Sequence, residues 1–223
     1  MKRETVFKLL KGLIDGLVDL NVTGLENVPA SGSGLVITSH VSRLDTPFLM
    51  VSTPRQDVIP VVAREYQKAP LIGWLLKTLK TIWITRGEYD FAAFREAQDY
   101  FKQGWLVGMA PEGHRSRDGV LKEGKSGAVL LAKKAGVMLI PTTVSGSNQM
   151  WHWFLRLRKM RVQVAFGPAF YLPEQEEGED NKSWLKRATD EMMCRIAALL
   201  PPRRRGIYAN HPRLISLLNE AST

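Results

Sequence analysis

Three short stretches of this 223-residue chain carry side chains suited to chemistry. The first is Ser39-His40-Val41-Ser42-Arg43-Leu44-Asp45, a histidine five residues before an aspartate. A carboxylate that accepts from one imidazole nitrogen fixes the tautomer and leaves the other nitrogen free to take a proton. His40 and Asp45 can therefore form a general base and its orienting acid. They fit a plain strand-to-helix turn as well, with Asp45 as a first-turn carboxylate favoured by the helix dipole. The second stretch, Thr81-Ile-Trp-Ile-Thr-Arg86, ends in arginine. The third, Pro111-Glu112-Gly113-His114-Arg115-Ser116, offers a glutamate, a glycine and another arginine. Guanidinium matches phosphate bidentately, so Arg86 and Arg115 could hold one, or one of them could pair with Glu112. The combined chemistry is proton removal from a hydroxyl on a molecule that also carries a phosphate.

Such chemistry requires elements that bring the three stretches together. Each follows an apolar run of strand length: residues 34–39, 81–85 and 105–110. Parallel strands share one C-terminal edge, and ligands bind in the crevice there. Further strands are expected at 57–63, 137–144 and 161–166. Pro60 inside the first of these argues for an edge position or a bulge. Helices are expected from Pro47, over 70–79, from an Asp90 cap with Phe91, Phe94, Ala97 and Phe101 on one face, over 126–135 up to Gly136, and over 182–200. Alternating strands and helices predict an α/β fold, a largely parallel central sheet with helices on both faces. Residues 1–20 hold an N-terminal amphipathic helix, Val6, Leu9, Leu10, Leu13, Ile14, Leu17 and Leu20 opposing Lys8, Lys11, Asp15 and Asp19. It either covers the sheet or lies in a membrane interface, where Lys2 and Arg3 would also suit anionic lipid. After Pro201-Pro202, residues 201–223 read as a basic C-terminal tail containing Arg203-Arg204-Arg205.

The net charge of +9 implies an anionic partner: a phospholipid surface, a phosphorylated or CoA-type substrate, or nucleic acid. The lone Cys194 excludes an internal disulfide framework and a Cys-rich zinc site. The four histidines show no HxxxH or HExxH spacing, and no metal is expected. No signal peptide and no transmembrane span are expected, so a lipid-bound form would lie on the bilayer. A basic nucleic-acid-binding module remains a competing class, prompted by Arg203–Arg205 and the aromatic, basic segment 151–161. That class gives no reason for a His-x4-Asp pattern at a strand end.

In order along the chain, these stretches resemble the glycerophospholipid acyltransferase family. Its four blocks are matched by His40–Asp45 with Ser42, by Ile82-Trp-Ile-Thr-Arg86, by Ala110-Pro-Glu-Gly-His-Arg-Ser116 and by Leu139-Ile-Pro141. Ser39, Ala110 and His114 depart from the residues usual at their positions. The resemblance implies an acyltransferase domain over 21–200. It would move a fatty acyl group from acyl-CoA or acyl carrier protein to the free hydroxyl of a lysophospholipid, foremost 1-acylglycerol-3-phosphate, giving phosphatidic acid. His40 would be the base and Asp45 its partner, with direct transfer and no acyl-enzyme. Arg86 and Arg115 would hold the acceptor phosphate, and Glu112 and Gly113 would lie at the glycerol. Ser42, His114, Ser116 and Pro141 would complete the substrate site. Ser42 and Ser116 are alternative nucleophiles or cap hydroxyls, and His114 either donates a hydrogen bond to the phosphate or is a solvated loop residue. Pro141 would shape the pocket wall. No cofactor is implied beyond the acyl donor as co-substrate, and no nucleic acid. The enzyme would sit peripherally on the cytoplasmic face of a membrane. Another acceptor, such as a lyso-aminolipid or a different hydroxyl, is the alternative within this class.

Overall fold

The computed structural model describes residues 2–85, 87, 90–149, 153 and 158–221. At its centre lies β2 (Gly34–Thr38), buried along its whole length. A strand covered on both faces needs apolar side chains in both directions. Leu35 and Ile37 enter one apolar cluster and Val36 the other, following the two-residue period of a strand. Six further strands are β1 (Val18–Thr23), β3 (Val58–Ala63), β4 (Ile82–Ile84), β5 (Leu106–Met109), β6 (Met138–Ser145) and β7 (Met160–Phe166). Among the described residues they form one sheet in the order β1-β7-β6-β2-β5-β3-β4. All neighbours are parallel except β6 and β7. The C-terminal ends of β2 to β6 therefore lie along one edge.

Helices cover both faces. On one, α4 (Phe91–Lys102), α5 (Gly127–Ala135) and α6 (Asn181–Ala198) bury residues such as Ala97, Val129 and Met192 against Leu35 and Ile37. On the other, α1 (Arg3–Leu17) and α2 (Asp45–Ser52) bury Val6, Phe7, Phe48 and Met50 against Val36 and Ile140. The helix α3 (Pro70–Thr78) packs Leu75 on that second cluster. The expected α/β layering is present. Asp90 caps α4 by accepting from Ala93 N–H, and Gly136 ends α5 at φ +63.

Four local expectations fail. The N-terminal helix stops at Leu17, and Val18 and Leu20 belong to β1, in register with Met160 and Val162. Leu17 and Leu20 fit a helical spacing, but Val18, Leu20 and Val22 alternate with polar residues as a strand requires. Pro60 does not mark an edge strand, because β3 lies between β5 and β4. Pairing with β4 starts only at Val61, so at Pro60 the strand has one ladder partner, Gly108 of β5. Phe91 is exposed instead of sharing the buried face of Ala97 and Phe101. Residues 201–221 are no loose tail: α7 (Pro212–Glu220) packs on α6, burying Leu214, and Arg213 binds the Glu191 carboxylate. Cys194 lies under this contact, and burial pushes its thiol up to about 12.

At the edge opposite the site, buried Arg55 ties the strand starts together. It donates to Asp57 at 2.9 Å, to the carbonyls of Pro29 and Gly32, and to the carbonyl of Gly104. These residues precede β3, β2 and β5. The Arg55 hydrogen bond draws the Asp57 carboxyl below the usual range, against the opposing effect of burial. A depressed folded-state value means stability that is present above the unfolded carboxylate range and lost as pH falls through the folded one. Asp57→Asn is expected to cost about 1.5–3 kcal/mol at neutral pH. In urea unfolding its gap to wild type should close in acid, as wild type loses the same bond.

Candidate functional site

Between the end of β2 and the start of α2, residues 39–44 cross the sheet edge. Asp45, the first residue of α2, is 1% exposed. A buried carboxylate is tolerable only when its oxygens are bonded. Its Oδ2 accepts from His40 Nδ1 at 2.9 Å and from the backbone N–H groups of Val41 and Ser42 at 2.7 and 2.8 Å. Its Oδ1 accepts from the Ser147 hydroxyl. The carboxylate can only accept, so His40 Nδ1 carries the hydrogen and Nε2 offers its lone pair. The expected pair is thus assembled, with the His40 side chain 19% exposed.

The His40 main chain is held as well. Its N–H donates to Glu112 Oε1 at 3.0 Å, and its carbonyl accepts from Ser116 N–H at 2.7 Å. Glu112 Oε2 also accepts from Lys122 N–H at 2.9 Å. Burial pushes the Glu112 carboxyl up, while the two backbone hydrogen bonds pull it down. Among the described residues Glu112 bridges no arginines; it fastens the 111–122 loop to the histidine. The Ser116 hydroxyl donates to Asp118 at 2.7 Å, and Ser42 Oγ accepts from Leu44 N–H at 3.2 Å. Among the described residues neither hydroxyl bonds to His40, so both serines shape loops and neither is set up as a nucleophile.

A cavity of about 1130 Å³ opens beside His40. His40, Asp45, Glu112, Gly113 and His114 line its polar end, and Leu49, Met50, Val61, Leu75, Leu79 and Ile84 give it apolar walls. Gly113 adopts φ +72, a conformation that favours glycine. A Cβ there would press the Lys125 stem at 3.1–3.3 Å. Lys125 and Arg43 border the same cavity, and the Arg43 guanidinium stands 5.7 Å from the Tyr66 ring centre.

Other expected positions fall elsewhere. Arg115 is half-buried and is not among the cavity-lining residues. Neighbours in sequence on an irregular loop need not face the same way, and here His114 takes the cavity side. Ser42 and Ser116 do not line the cavity either. Pro141 sits inside the sheet, opposite Ile37 of β2, with its carbonyl accepting from Gly167 N–H at 2.8 Å. It contributes to the ladder and not to a pocket wall. Arg86, Trp151, His152 and Phe154 lie outside the described residues. Sequence reasoning missed Arg43, although it stands inside the first motif, and gave Lys125 no role. Ser147 had no signal, since it meets Asp45 across 102 residues.

A family model described as "Acyltransferase" matches residues 19–145. The 1-acyl-sn-glycerol-3-phosphate acyltransferase of Borreliella burgdorferi is 24% identical over 136 residues, 60% of this chain and 54% of that protein. A chloroplastic enzyme of the same name from Arabidopsis thaliana is 30% identical over 142 residues, 59% of this chain and 37% of that protein. The Pseudomonas aeruginosa protein of that name is 27% identical over 201 residues, 87% and 75% of the two chains. The chain thus spans about half the length of the first relative and less of the second. The crystal structure of the 1-acyl-sn-glycerophosphate (LPA) acyltransferase PlsC from Thermotoga maritima superposes with a TM-score of 0.61 at 24% identity. The match covers 83% of this chain and 74% of that one. This likeness shows the fold.

Glu112→Ala would leave two backbone N–H groups, of His40 and Lys122, without their acceptor. Each such loss costs about 1–3 kcal/mol when the group stays dry. Chemical denaturation should place this variant well below wild type. Ser116→Ala, which keeps the backbone bond to His40, should lose less.

Proposed function

The chain belongs to the acyltransferase family, and from that premise we propose that it moves a fatty acyl group from acyl-CoA or acyl carrier protein to the free hydroxyl of a lysophospholipid. The acceptor is 1-acylglycerol-3-phosphate and the product phosphatidic acid. The observation that carries this reading is the 2.9 Å His40 Nδ1 to Asp45 contact at the polar end of an apolar cavity. As the acceptor oxygen attacks the thioester carbonyl carbon, its proton passes to His40 Nε2, and Asp45 stabilises the imidazolium. The tetrahedral intermediate then expels the thiolate, the C–S bond breaks, and the proton passes from His40 to sulfur. No acyl-enzyme forms. The apolar walls suit a hydrocarbon chain. The acceptor phosphate faces Lys125 and Arg43, which replace Arg115 in the clamp expected from the motif alone. His114 borders the same space.

An acceptor that lives in a bilayer must be collected there. Among the described residues no helix is long and apolar enough to cross a membrane. The helix α1 buries Val6, Phe7 and Ile14 and leaves Leu9, Leu13 and Leu17 at 61%, 59% and 61% exposure. It therefore covers the sheet with one face and presents leucines with another. Exposed Leu71 and Trp74 of α3 add to this apolar surface. Lys8 and Lys11 suit an anionic phospholipid surface. Arg3 takes no part, because its guanidinium donates to the carbonyls of Leu79 and Val58. The enzyme works as a peripheral protein on that surface.

His40→Ala and Asp45→Asn are each expected to lower kcat about 10²-fold or more with the fold intact; full activity in His40→Ala would sink the mechanism. Wild type should prefer 1-acylglycerol-3-phosphate over monoacylglycerol by about 10-fold or more in kcat/KM. Lys125→Ala should shrink that preference more than Arg115→Ala does. Equal use of the two acceptors would favour a different hydroxyl acceptor. Co-sedimentation with anionic vesicles should fall sharply when Leu9, Leu13 and Leu17 are replaced by serine; unchanged sedimentation would leave α1 as a sheet cover alone.

A further inference from the structure

The base is only as well aimed as the two segments that hold it, and both converge on one side chain. The 111–122 loop carries Glu112 and Ser116, which fix the His40 main chain. The turn after β6 carries Ser147, which binds Asp45. Arg204 lies in a 3-10 turn, Pro202–Arg204, that follows α6. Its Nη1 donates to Ser145 Oγ at 2.7 Å, at the end of β6, and its Nε donates to Gly119 O at 2.8 Å, in the loop. The Arg204 carbonyl accepts from Leu121 N–H at 2.9 Å. Gly119 adopts φ +73, a conformation that favours glycine, and a Cβ there would stand in ordinary contact with the guanidinium at 3.7–3.9 Å. Close by, the buried Tyr208 hydroxyl accepts from Gly124 N–H at 3.1 Å.

We propose that Arg204 is a positioning residue for the His40–Asp45 pair, joining the loop that holds His40 to the end of β6, just beyond which Ser147 holds Asp45. This rests on the acyltransfer reading of His40. Arg204 is not among the cavity-lining residues and lies beyond the segment the family model matches, so it acts through others. Its guanidinium is half-buried; burial draws its pKa down, Arg203 adds to this, and Asp45 and Glu112 oppose it.

The test uses the full chain, with acyl-CoA and 1-acylglycerol-3-phosphate as substrates and the NMR signal of the His40 Nδ1 proton, recorded without substrate, as a second readout. Arg204→Gln should lower kcat about 10- to 100-fold with KM for both substrates little changed, the penalty of a displaced base. In the same variant the Nδ1 proton signal should move or broaden, because the bond to Asp45 is no longer held in place. Arg204→Lys should recover part of kcat and of the wild-type signal, lacking the fork that reaches two acceptors. Ser145→Ala should show a smaller kcat loss of the same kind. A folded Arg204→Gln with wild-type kcat and an unchanged Nδ1 signal overturns the proposal. So does a fall in activity that only tracks the folded fraction while the signal stays as in wild type. The signal needs no turnover, so it separates this inference from the acyltransfer reading, which stands or falls with His40→Ala.

Discussion

Everything at this site depends on keeping a carboxylate charged where water hardly reaches it. Asp45 can only accept hydrogen bonds, and an unpaired buried charge would be prohibitive. The solution is to bend residues 40–42 around it, so that two backbone N–H groups and one imidazole N–H all point at Oδ2. Ser147 supplies the donor for Oδ1 from across the sheet edge. The same bonds that make Asp45 tolerable therefore set the loop's shape and the tautomer of His40. The position of the pair follows from β2, whose apolar residues face a core on each side and whose end must emerge at the common edge of the parallel strands.

Two opposite environments meet at His40. Apolar walls built from α2, β3, α3 and β4 extend on one side, and cationic side chains from the flanking loops border the other. Glu112 is the junction. It stays dry, and burial raises its carboxyl against the pull of two backbone donors. Its place in the chain is thus a structural one within a motif that also lines the cavity. The N-terminal helix shows the same economy on a larger scale, with one face closing the apolar cluster around Val36 and another left apolar in solvent.

What was legible in the sequence was what is local. Five apolar runs placed the strands that point to the site, and a five-residue spacing placed His40 against Asp45. Contacts over long separations had no such signature: Glu112 reaches His40 across 72 residues and Arg204 reaches Gly119 across 85. The motif 111–116 fixed the order of side chains but not their directions, because an irregular loop has no period. This is why His114 faces the cavity and Arg115 does not. At 17–20 helical and strand periodicities overlap, and pairing of β1 with β7 decided between them. The C-terminal residues looked like an appendage because their apolar positions are few, yet Leu214 and Tyr208 are buried.

The central claim is that His40 removes the acceptor proton and that the acyl group passes directly to the acceptor. The most direct measurement is a rapid-quench single turnover with acyl-CoA labelled in the acyl chain, run with and without 1-acylglycerol-3-phosphate. The account predicts that no label is found on the protein in either case. It also predicts that labelled product forms in one phase, slowed about 10²-fold or more in His40→Ala. Label trapped on a serine of the enzyme, formed before product and consumed by acceptor, would contradict it.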